Sequence, residues 1–216
     1  MIDHVVVDVE IQKTIEETPG GWDATDKLGV AVACLWEYET QRMRIYGPKD
    51  VEELRKRLLK ADRISGFNIF NFDFPVIWGI SKFQWNNWPI KSPLSDSEMK
   101  LVYQGTNGCN LKAELGQKTD DMLRRIWQAL NLDPDNFNPK THGGWKLDNV
   151  ALATLGYAKI GYGGDAPKWY QAGQIQRVCN YCADDVALER DLTDYVEKYG
   201  RVLNGGKVLR IPAWKG

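Results

Sequence analysis

Two acidic residues close an apolar segment near the start of the chain. Asp8 and Glu10 end the stretch HVVVDVE, two positions apart. Side chains alternate along a strand, so this spacing places both carboxylates on one face. Acids in apolar surroundings are costly unless a partner neutralises them, and divalent cations prefer oxygen ligands. The pair therefore indicates a cation site, and two solvated acids at a strand end are the alternative.

Two later segments place further acids at the ends or faces of predicted elements. The stretch GFNIFNFDFP, residues 66–75, puts Asp73 after a predicted strand and a turn, at the start of a predicted helix. In the stretch YCADD, Tyr181 and Asp185 are four residues apart and share a helix face. Simpler interpretations remain open, because Asp73 suits a helix N-cap, and a core tyrosine beside a solvated acid gives the second pattern.

In chain order the three segments read D-x-E, N-x-x-x-F-D-x-P and Y-x-x-x-D. This order resembles the three exonuclease motifs of the DEDD superfamily of 3′–5′ exonucleases, which have a ribonuclease H-like fold. Tyr181 is similar to the tyrosine of its DEDDy branch, since the histidine branch would need a histidine where Asn180 stands. The pattern is most similar to the exonuclease domains of family B DNA polymerases and their stand-alone bacterial and phage relatives.

The resemblance extends from about residue 5 to residue 192. The stretch WKLDNVA, residues 145–151, is similar to the helix that connects the second and third motifs in that family. Residues 81–118 match nothing in it, and we interpret them as an insertion with short elements. We expect one exonuclease domain over residues 1–216.

The resemblance implies a site of four carboxylates that bind two Mg²⁺ or Mn²⁺ ions. Asp8 would bridge the ions, Glu10 and Asp185 would complete the site of the ion that activates water, and Asp73 would serve the second ion. Tyr181 would orient the attacking water. Asn68 and Phe72 would contact the substrate. Two ions of this kind stabilise both the attacking and the leaving oxygen of a phosphoryl displacement.

The function that the resemblance implies is metal-dependent 3′–5′ hydrolysis of single-stranded DNA. A ribonuclease D-like exoribonuclease is one alternative, because no residue of the motifs reads the sugar. A catalytically inactive module that binds nucleic acid is the other. A polymerase or helicase acting in trans is the protein partner to expect.

Composition sets limits on these hypotheses. The 216 residues are 43% hydrophobic and 26% charged, as in a globular domain. With 28 basic and 29 acidic residues the net charge is −1, which argues against sequence-independent coating of duplex DNA. Four cysteines are too few for a disulfide scaffold. With no signal-peptide pattern and no apolar run long enough to cross a bilayer, we expect no membrane association and a cytoplasmic protein of a bacterial, archaeal or phage-infected cell.

The apolar patterns predict a mixed sheet flanked by helices, and the resemblance adds that it has five strands, the first three antiparallel and the rest parallel. Asp50 and Glu53 suit a capping box at the start of the first long helix. The predicted strands are residues 4–9, 28–37, 41–46, 63–68 and 207–211. The predicted helices are residues 51–61, 72–80, 121–130, 147–155 and 174–198.

Several other residues have two interpretations. Trp85 and Trp88 suit either base stacking or packing, and packing is the interpretation we favour. The Cys179-x-x-Cys182 spacing suits zinc, but no second pair follows it, and one helix face gives the same spacing. His4 and His142 are expected to be structural or exposed, and Asp121 is expected to cap a helix. Asp120 and Asp184 are expected to lie at the surface.

Overall fold

The structure is a computed structural model that describes residues 2–87, 111–135, 144–159, 161 and 163–215. Within these residues the strands are β1 (His4–Ile11), β2 (Val30–Glu37), β3 (Arg42–Tyr46), β4 (Arg63–Gly66), β5 (Thr119–Asp121), β6 (Arg201–Asn204) and β7 (Lys207–Arg210). The helices are α1 (Thr25–Leu28), α2 (Val51–Lys60), α3 (Asp73–Trp78), α4 (Lys82–Asn86), α5 (Leu111–Lys118), α6 (Met122–Ala129), α7 (Leu147–Leu155), α8 (Ala166–Gln171) and α9 (Ile175–Tyr199).

Five strands form one mixed sheet in the order β3-β2-β1-β4-β5. β1 and β2 are antiparallel, as are β2 and β3, whereas β4 runs parallel to both β1 and β5. This confirms the predicted α/β class, and the strand order is consistent with a ribonuclease H-like fold. β1 lies in the centre because its run of valines suits a strand that is covered on both faces.

The two faces of β1 pack against different helices. Val5, Val7 and Val9 join a core cluster with α2 and α3, whereas Val6 packs with residues of α9 on the other face. Since side chains alternate along a strand, the face that carries Val6 also carries Asp8 and Glu10. The central strand therefore directs its two acids toward α9.

Two strands were not predicted from the sequence. β5 has only three residues, TDD, and no apolar alternation that would indicate a strand. β6 pairs with β7, which overlaps the predicted terminal strand, in a separate two-stranded sheet. Both depend on neighbouring strands for their hydrogen bonds, so local propensity gives little sign of them.

The capping box predicted at α2 is wrong. The Asp50 carboxylate accepts a hydrogen bond from the Gly47 backbone N–H at 2.9 Å and makes no cap bond to α2. Glu53 instead faces Lys56, with Nζ and Oε1 3.1 Å apart. The reason is the 3₁₀ turn Pro48–Asp50, which begins the helical segment three residues earlier than predicted and uses Asp50 at its end.

The segment interpreted as an insertion is described only at its two ends. α4 and α5 lie there, and Trp88 is outside the described residues, as is His142 farther along the chain. Trp85 is only 2% exposed and packs edge-on against Phe70 and Phe74. The favoured packing interpretation is therefore correct for Trp85, which is not free to stack on a base.

Three smaller expectations have mixed outcomes. Asp184 is exposed, as predicted, but Asp120 is buried between Arg63 and Arg125, so its predicted surface position is wrong. His4 is structural, since its ring stacks on Tyr38. Among the described residues no helix is long and apolar enough to cross a membrane.

Candidate metal centre

Three acids meet between the central strand and the long helix. Asp8 and Glu10 come from β1, and Asp185 comes from α9, 175 residues after Glu10. Each offers a carboxylate oxygen, and these oxygens all lie within 4.8 Å of one another. Glu10 is 7% exposed and Asp185 is 3% exposed, whereas Asp8 is half-buried, so the cluster is only partly shielded from water. The structure thus brings together three of the four acids named from the motifs.

The surroundings of the cluster disfavour joint ionisation of its members. Burial, and then the nearby Asp185 carboxylate, raise the pKa of Asp8 to about 7. Burial and the Asp8 carboxylate raise the pKa of Glu10 well above its ordinary value. Like charges this close resist ionising together, and a bound cation would relieve the repulsion.

The donor set fits a hard divalent cation. All three side chains offer carboxylate oxygens, which Mg²⁺, Mn²⁺ and Ca²⁺ prefer over nitrogen or sulfur. The Oδ1 atom of Asp185 is buried and has no hydrogen-bond partner. Buried polar atoms are normally satisfied, so this oxygen has free capacity for a ligand. Among the described residues, this is the one group of three or more metal-binding side chains in mutual reach.

Asp73 lies beside this group but is not a member of it. It begins α3, is 3% exposed, and accepts a hydrogen bond from the Val9 backbone N–H at 3.0 Å. Val9 stands between Asp8 and Glu10, so this contact ties α3 to the acidic end of β1. Burial and the Asp8 carboxylate raise the pKa of Asp73 well above its ordinary value. The alternative interpretation as an N-cap is wrong, because Asp73 is the first residue of α3, Phe72 holds the N-cap position, and no side-chain cap bond is present.

Lys159 is a positively charged residue beside the acids that none of the three sequence motifs includes. Its Nζ donates to Asp185 Oδ2 at 3.0 Å and lies 5.0 Å from the centre of the Tyr181 ring. Burial alone would lower the pKa of Lys159, but the Asp185 carboxylate raises it above its ordinary value. A single lysine in the glycine-rich stretch 156–166 has no spacing that sequence reasoning could use. One positive charge thus faces three carboxyl groups.

Tyr181 lies one turn before Asp185 on α9 and is 4% exposed. Its hydroxyl is buried and makes no hydrogen bond of good geometry, although Lys159 and Asp185 are within its reach. Gly161 passes close to the ring, since a Cβ atom there would lie 3.3 Å from Tyr181 Cε2. Burial, and then Asp185, raise the pKa of Tyr181, so the hydroxyl keeps its proton at neutral pH. It can donate a hydrogen bond but is not a base.

The turn after β4 carries the two residues named for substrate contact. Asn68 has a left-handed backbone, with φ of 67°. Asp121 holds this turn by accepting from the backbone N–H groups of Asn68 at 2.9 Å and Phe70 at 3.1 Å, and it also caps α6 as predicted. Phe72 is half-buried and contacts Trp22 edge-on. The structure places both residues beside Asp73, and their contact with substrate remains a prediction.

α9 contributes two more groups near the acids. Cys182 places its thiol 3.5 Å from Asp8 Oδ2, and the cluster does not include Cys179 or Cys182, so the zinc alternative has no support. Glu189 lies one turn beyond Asp185, is buried, and has an Oε2 atom without a partner. Its distance of four residues from Asp185 is the only sequence signal that could have indicated it.

No protein-family model matches this chain, and no curated protein matches it at a significant level.

Proposed function

We propose that this protein is a metal-dependent 3′–5′ exonuclease that removes nucleotides from the 3′ end of single-stranded DNA. The observation that carries the proposal is the convergence of Asp8, Glu10 and Asp185, with oxygens within 4.8 Å, on a sheet of ribonuclease H-like strand order. The residues come from opposite ends of the chain, and their order matches the motif order of the DEDDy exonucleases.

The acids would hold two Mg²⁺ or Mn²⁺ ions. Asp8, Glu10 and Asp185 would hold the first, and Asp8 and Asp73 would hold the second. Such ions polarise the scissile phosphate, lower the pKa of water and stabilise the leaving oxygen. The buried Oδ1 of Asp185 and the raised pKa values of the four acids are what support this donor set.

The protein's own groups would prepare the reaction in two ways. The Lys159 ammonium opposes the burial that raises the pKa of Asp185 and holds this side chain in one orientation, so that its second oxygen stays available as a ligand. The unpartnered hydroxyl of Tyr181 would donate or accept a hydrogen bond that orients the attacking water. Because this hydroxyl stays protonated, its role is to position the water and not to remove a proton.

The test uses DNA and RNA of one sequence, each labelled at the 5′ end, with Mn²⁺ or with a chelator. We expect a ladder of steadily shorter labelled DNA with Mn²⁺ and none with chelator. Immediate release of a labelled mononucleotide would show attack from the 5′ end and contradict the proposal. Faster loss of RNA would select the exoribonuclease alternative, and binding without hydrolysis would select the inactive module.

Two neighbouring acids provide a matched control. Asp185→Asn removes a member of the cluster and should abolish hydrolysis. Asp184→Asn changes the exposed acid beside it by the same single atom and should leave the rate unchanged. Equal residual rates in both variants would indicate that a contaminant, or another site, is responsible for the activity.

Tyr181→Phe tests the role of the hydroxyl. Removal of one positioning hydrogen bond should lower the single-turnover rate by roughly 10²-fold or less. The stabilisation that Mn²⁺ confers in thermal unfolding should persist, since the hydroxyl is not a proposed ligand. A variant with the full single-turnover rate would show that Tyr181 serves only for packing.

A further inference from the structure

Glu189 is a buried acid of α9 whose carboxyl group is not fully satisfied. It is 3% exposed, and its Oε2 atom is buried without a hydrogen-bond partner among the described residues. The other acids that follow Asp185 on α9 are more exposed, and each has a partner: Asp191 pairs with Arg190, Asp194 accepts from the Tyr38 hydroxyl, and Glu197 pairs with Arg63. Burial of a polar group without a partner costs free energy. Glu189 is therefore the acid of this series whose burial the contacts of the fold do not offset.

The Glu189 carboxyl group lies beside the two central parallel strands. Glu189 follows Asp185 by four residues, so both side chains project from one face of α9. A Cβ on Gly66 would lie 3.3 Å from Glu189 Oε2 and 2.8 Å from the Val7 carbonyl oxygen. Gly66 is the last residue of β4, and Val7 directly precedes Asp8 in β1. The carboxyl group is thus held where β1 and β4 pair, next to the acidic end of β1.

The charges around Glu189 indicate which part of the acidic site it faces. Burial raises the pKa of Glu189 well above its ordinary value, and the carboxylates of Asp8, Asp73 and Asp185 raise it further, in that order. The two larger of these electrostatic effects come from Asp8 and Asp73, the proposed ligands of the second ion. Glu189 therefore faces the part of the site that Asp8 and Asp73 form.

The position of Glu189 suits a group that acts through water. It is not a member of the group of acids whose oxygens lie within 4.8 Å of one another. The second ion has two proposed carboxylate ligands, Asp8 and Asp73, and ions such as Mg²⁺ normally keep several waters. Those waters donate hydrogen bonds, and a carboxyl oxygen accepts them. Groups that hold the direct ligands of a metal ion in this way contribute roughly 10- to 100-fold to its affinity.

We infer that Glu189 is a positioning residue of the metal centre, and that its carboxyl group accepts hydrogen bonds from water bound to the ion between Asp8 and Asp73. The inference rests on the proposed function, because the ion belongs to it. It adds a fifth acid to the site, one that none of the three sequence motifs contains. The free energy that its burial costs in the metal-free protein would be recovered when the ion and its waters bind.

The test is a calorimetric titration of Mn²⁺ into metal-free protein. Glu189→Gln keeps the size of the side chain and removes its charge, and the affinity for Mn²⁺ at one of the two sites should fall by roughly 10- to 100-fold. Glu189→Asp keeps the charge but shortens the side chain by one methylene, and it should weaken the same binding event. Glu53→Gln is the matched control, because Glu53 is an exposed acid of α2. It should bind Mn²⁺ like the wild type.

The Tm in chelator separates this role from a purely structural one. A buried carboxyl group without a partner destabilises the metal-free protein, and an uncharged or apolar side chain of similar size does not. Glu189→Gln and Glu189→Leu should therefore have the Tm of the wild type in chelator, or a higher one. A lower Tm in both variants would show that Glu189 supports packing, and it would overturn the inference.

Hydrolysis rates separate the inference from the proposed function. Glu189→Gln should need roughly 10- to 100-fold more Mn²⁺ for half its maximal rate, because the ion binds more weakly while its direct ligands are intact. If the wild type degrades DNA but Glu189→Gln binds Mn²⁺ equally well, the inference is wrong and the exonuclease stands. If the wild type binds Mn²⁺ but degrades no nucleic acid, the proposed function fails, and weaker binding by Glu189→Gln still supports its place at a metal centre. If the wild type binds no Mn²⁺, both proposals fail.

Discussion

Buried acids in this protein differ in what neutralises them. Asp120 lies between the guanidinium groups of Arg63 and Arg125, and Asp121 accepts several backbone N–H bonds. Asp8 and Glu10 have no such basic partner of their own, and among the described residues Lys159 is the cation that faces their cluster. A paired acid needs no further partner, whereas neighbouring buried acids that repel one another are typical of a ligand or metal site.

Asp8 makes the stability of the chelated protein depend on pH. Its pKa is raised in the folded protein to about 7, so between about pH 4 and 7 the folded state holds a proton that the unfolded chain has lost. The stabilisation is therefore present at low pH and is lost as the pH rises through 7. We expect the Tm in chelator to fall between pH 5 and pH 8, and to fall less in Asp8→Asn.

Mn²⁺ provides the second half of this test. At pH 8 a hundredfold excess over Kd stabilises by about 2.7 kcal/mol, which raises the Tm of a protein of this size by roughly 5–10 °C. Asp8→Asn should lose this shift together with the activity. A variant that melts far below the wild type in chelator would show that Asp8 is structural, and an equal gain from Mn²⁺ in both would place the ion elsewhere.

Lys159→Ala should lower the stability of the chelated protein. It removes the ammonium that pairs with Asp185 and leaves this buried carboxylate unpaired, which costs about 1–3 kcal/mol. The Tm in chelator at pH 8 should therefore fall, and Mn²⁺ should restore part of it. Lys168→Ala is the control, since that exposed lysine pairs only with Asp165 at the surface and contributes little. An equal Tm for the two variants would mean that the ion pair of Lys159 with Asp185 does not stabilise the protein.

At the scale of elements, the close approach of β4 to its neighbours is what places the turn before Asp73. A Cβ on Gly66 would lie 2.3 Å from Ile69 Cγ2 and 2.8 Å from the Val7 carbonyl oxygen. Neither the backbone of β1 nor the buried turn can move freely. The strand therefore ends in glycine because no larger residue fits beside the central strand.

Gly66→Ala should destabilise the protein by about 2–3 kcal/mol, the usual cost of overpacking a core. Gly116→Ala is the matched change, because a Cβ there would meet Phe70 at 3.5 Å, an ordinary contact within α5. That variant should be neutral or gain up to about 1 kcal/mol from the better helix former. Urea unfolding of both variants gives the comparison, and similar midpoints would show that β4 tolerates a side chain.

At the scale of the whole molecule, the segment after β7 packs against the edge of the sheet that β4 and β5 form. Trp214 donates from Nε1 to the Thr119 carbonyl at 3.1 Å, and the Arg63 guanidinium lies 4.7 Å from its ring centre. Arg125 donates to the Pro212 carbonyl at 2.7 Å. These contacts join β4, β5 and α6 on the side away from the acids, so they concern stability and not the reaction.

Trp214→Ala should therefore lower the free energy of unfolding by about 1–3 kcal/mol. The Tm increment from Mn²⁺ and the value of kcat should both stay as in the wild type. Loss of the Mn²⁺ increment in Trp214→Ala would show that the C-terminal segment shapes the acidic site.

The sequence determined those features that depend on a few neighbouring residues. Backbone geometry sets the period of a strand and of a helix locally. Residues two apart in a strand share a face, as Asp8 and Glu10 do, and residues four apart in a helix share a face, as Tyr181 and Asp185 do. The valine run indicated a central strand, and most elements were predicted to within a few residues.

Packing between distant segments decided the rest. Only the tertiary structure shows that Asp120 is paired while Asp8 is not, that Lys159 reaches Asp185, and that Trp85 is buried while Trp22 is exposed. The three-residue strand β5 exists because β4 lies beside it. Charge neutralisation and burial depend on which surfaces pack together. No local sequence pattern indicates which residues far apart in the chain will be in contact.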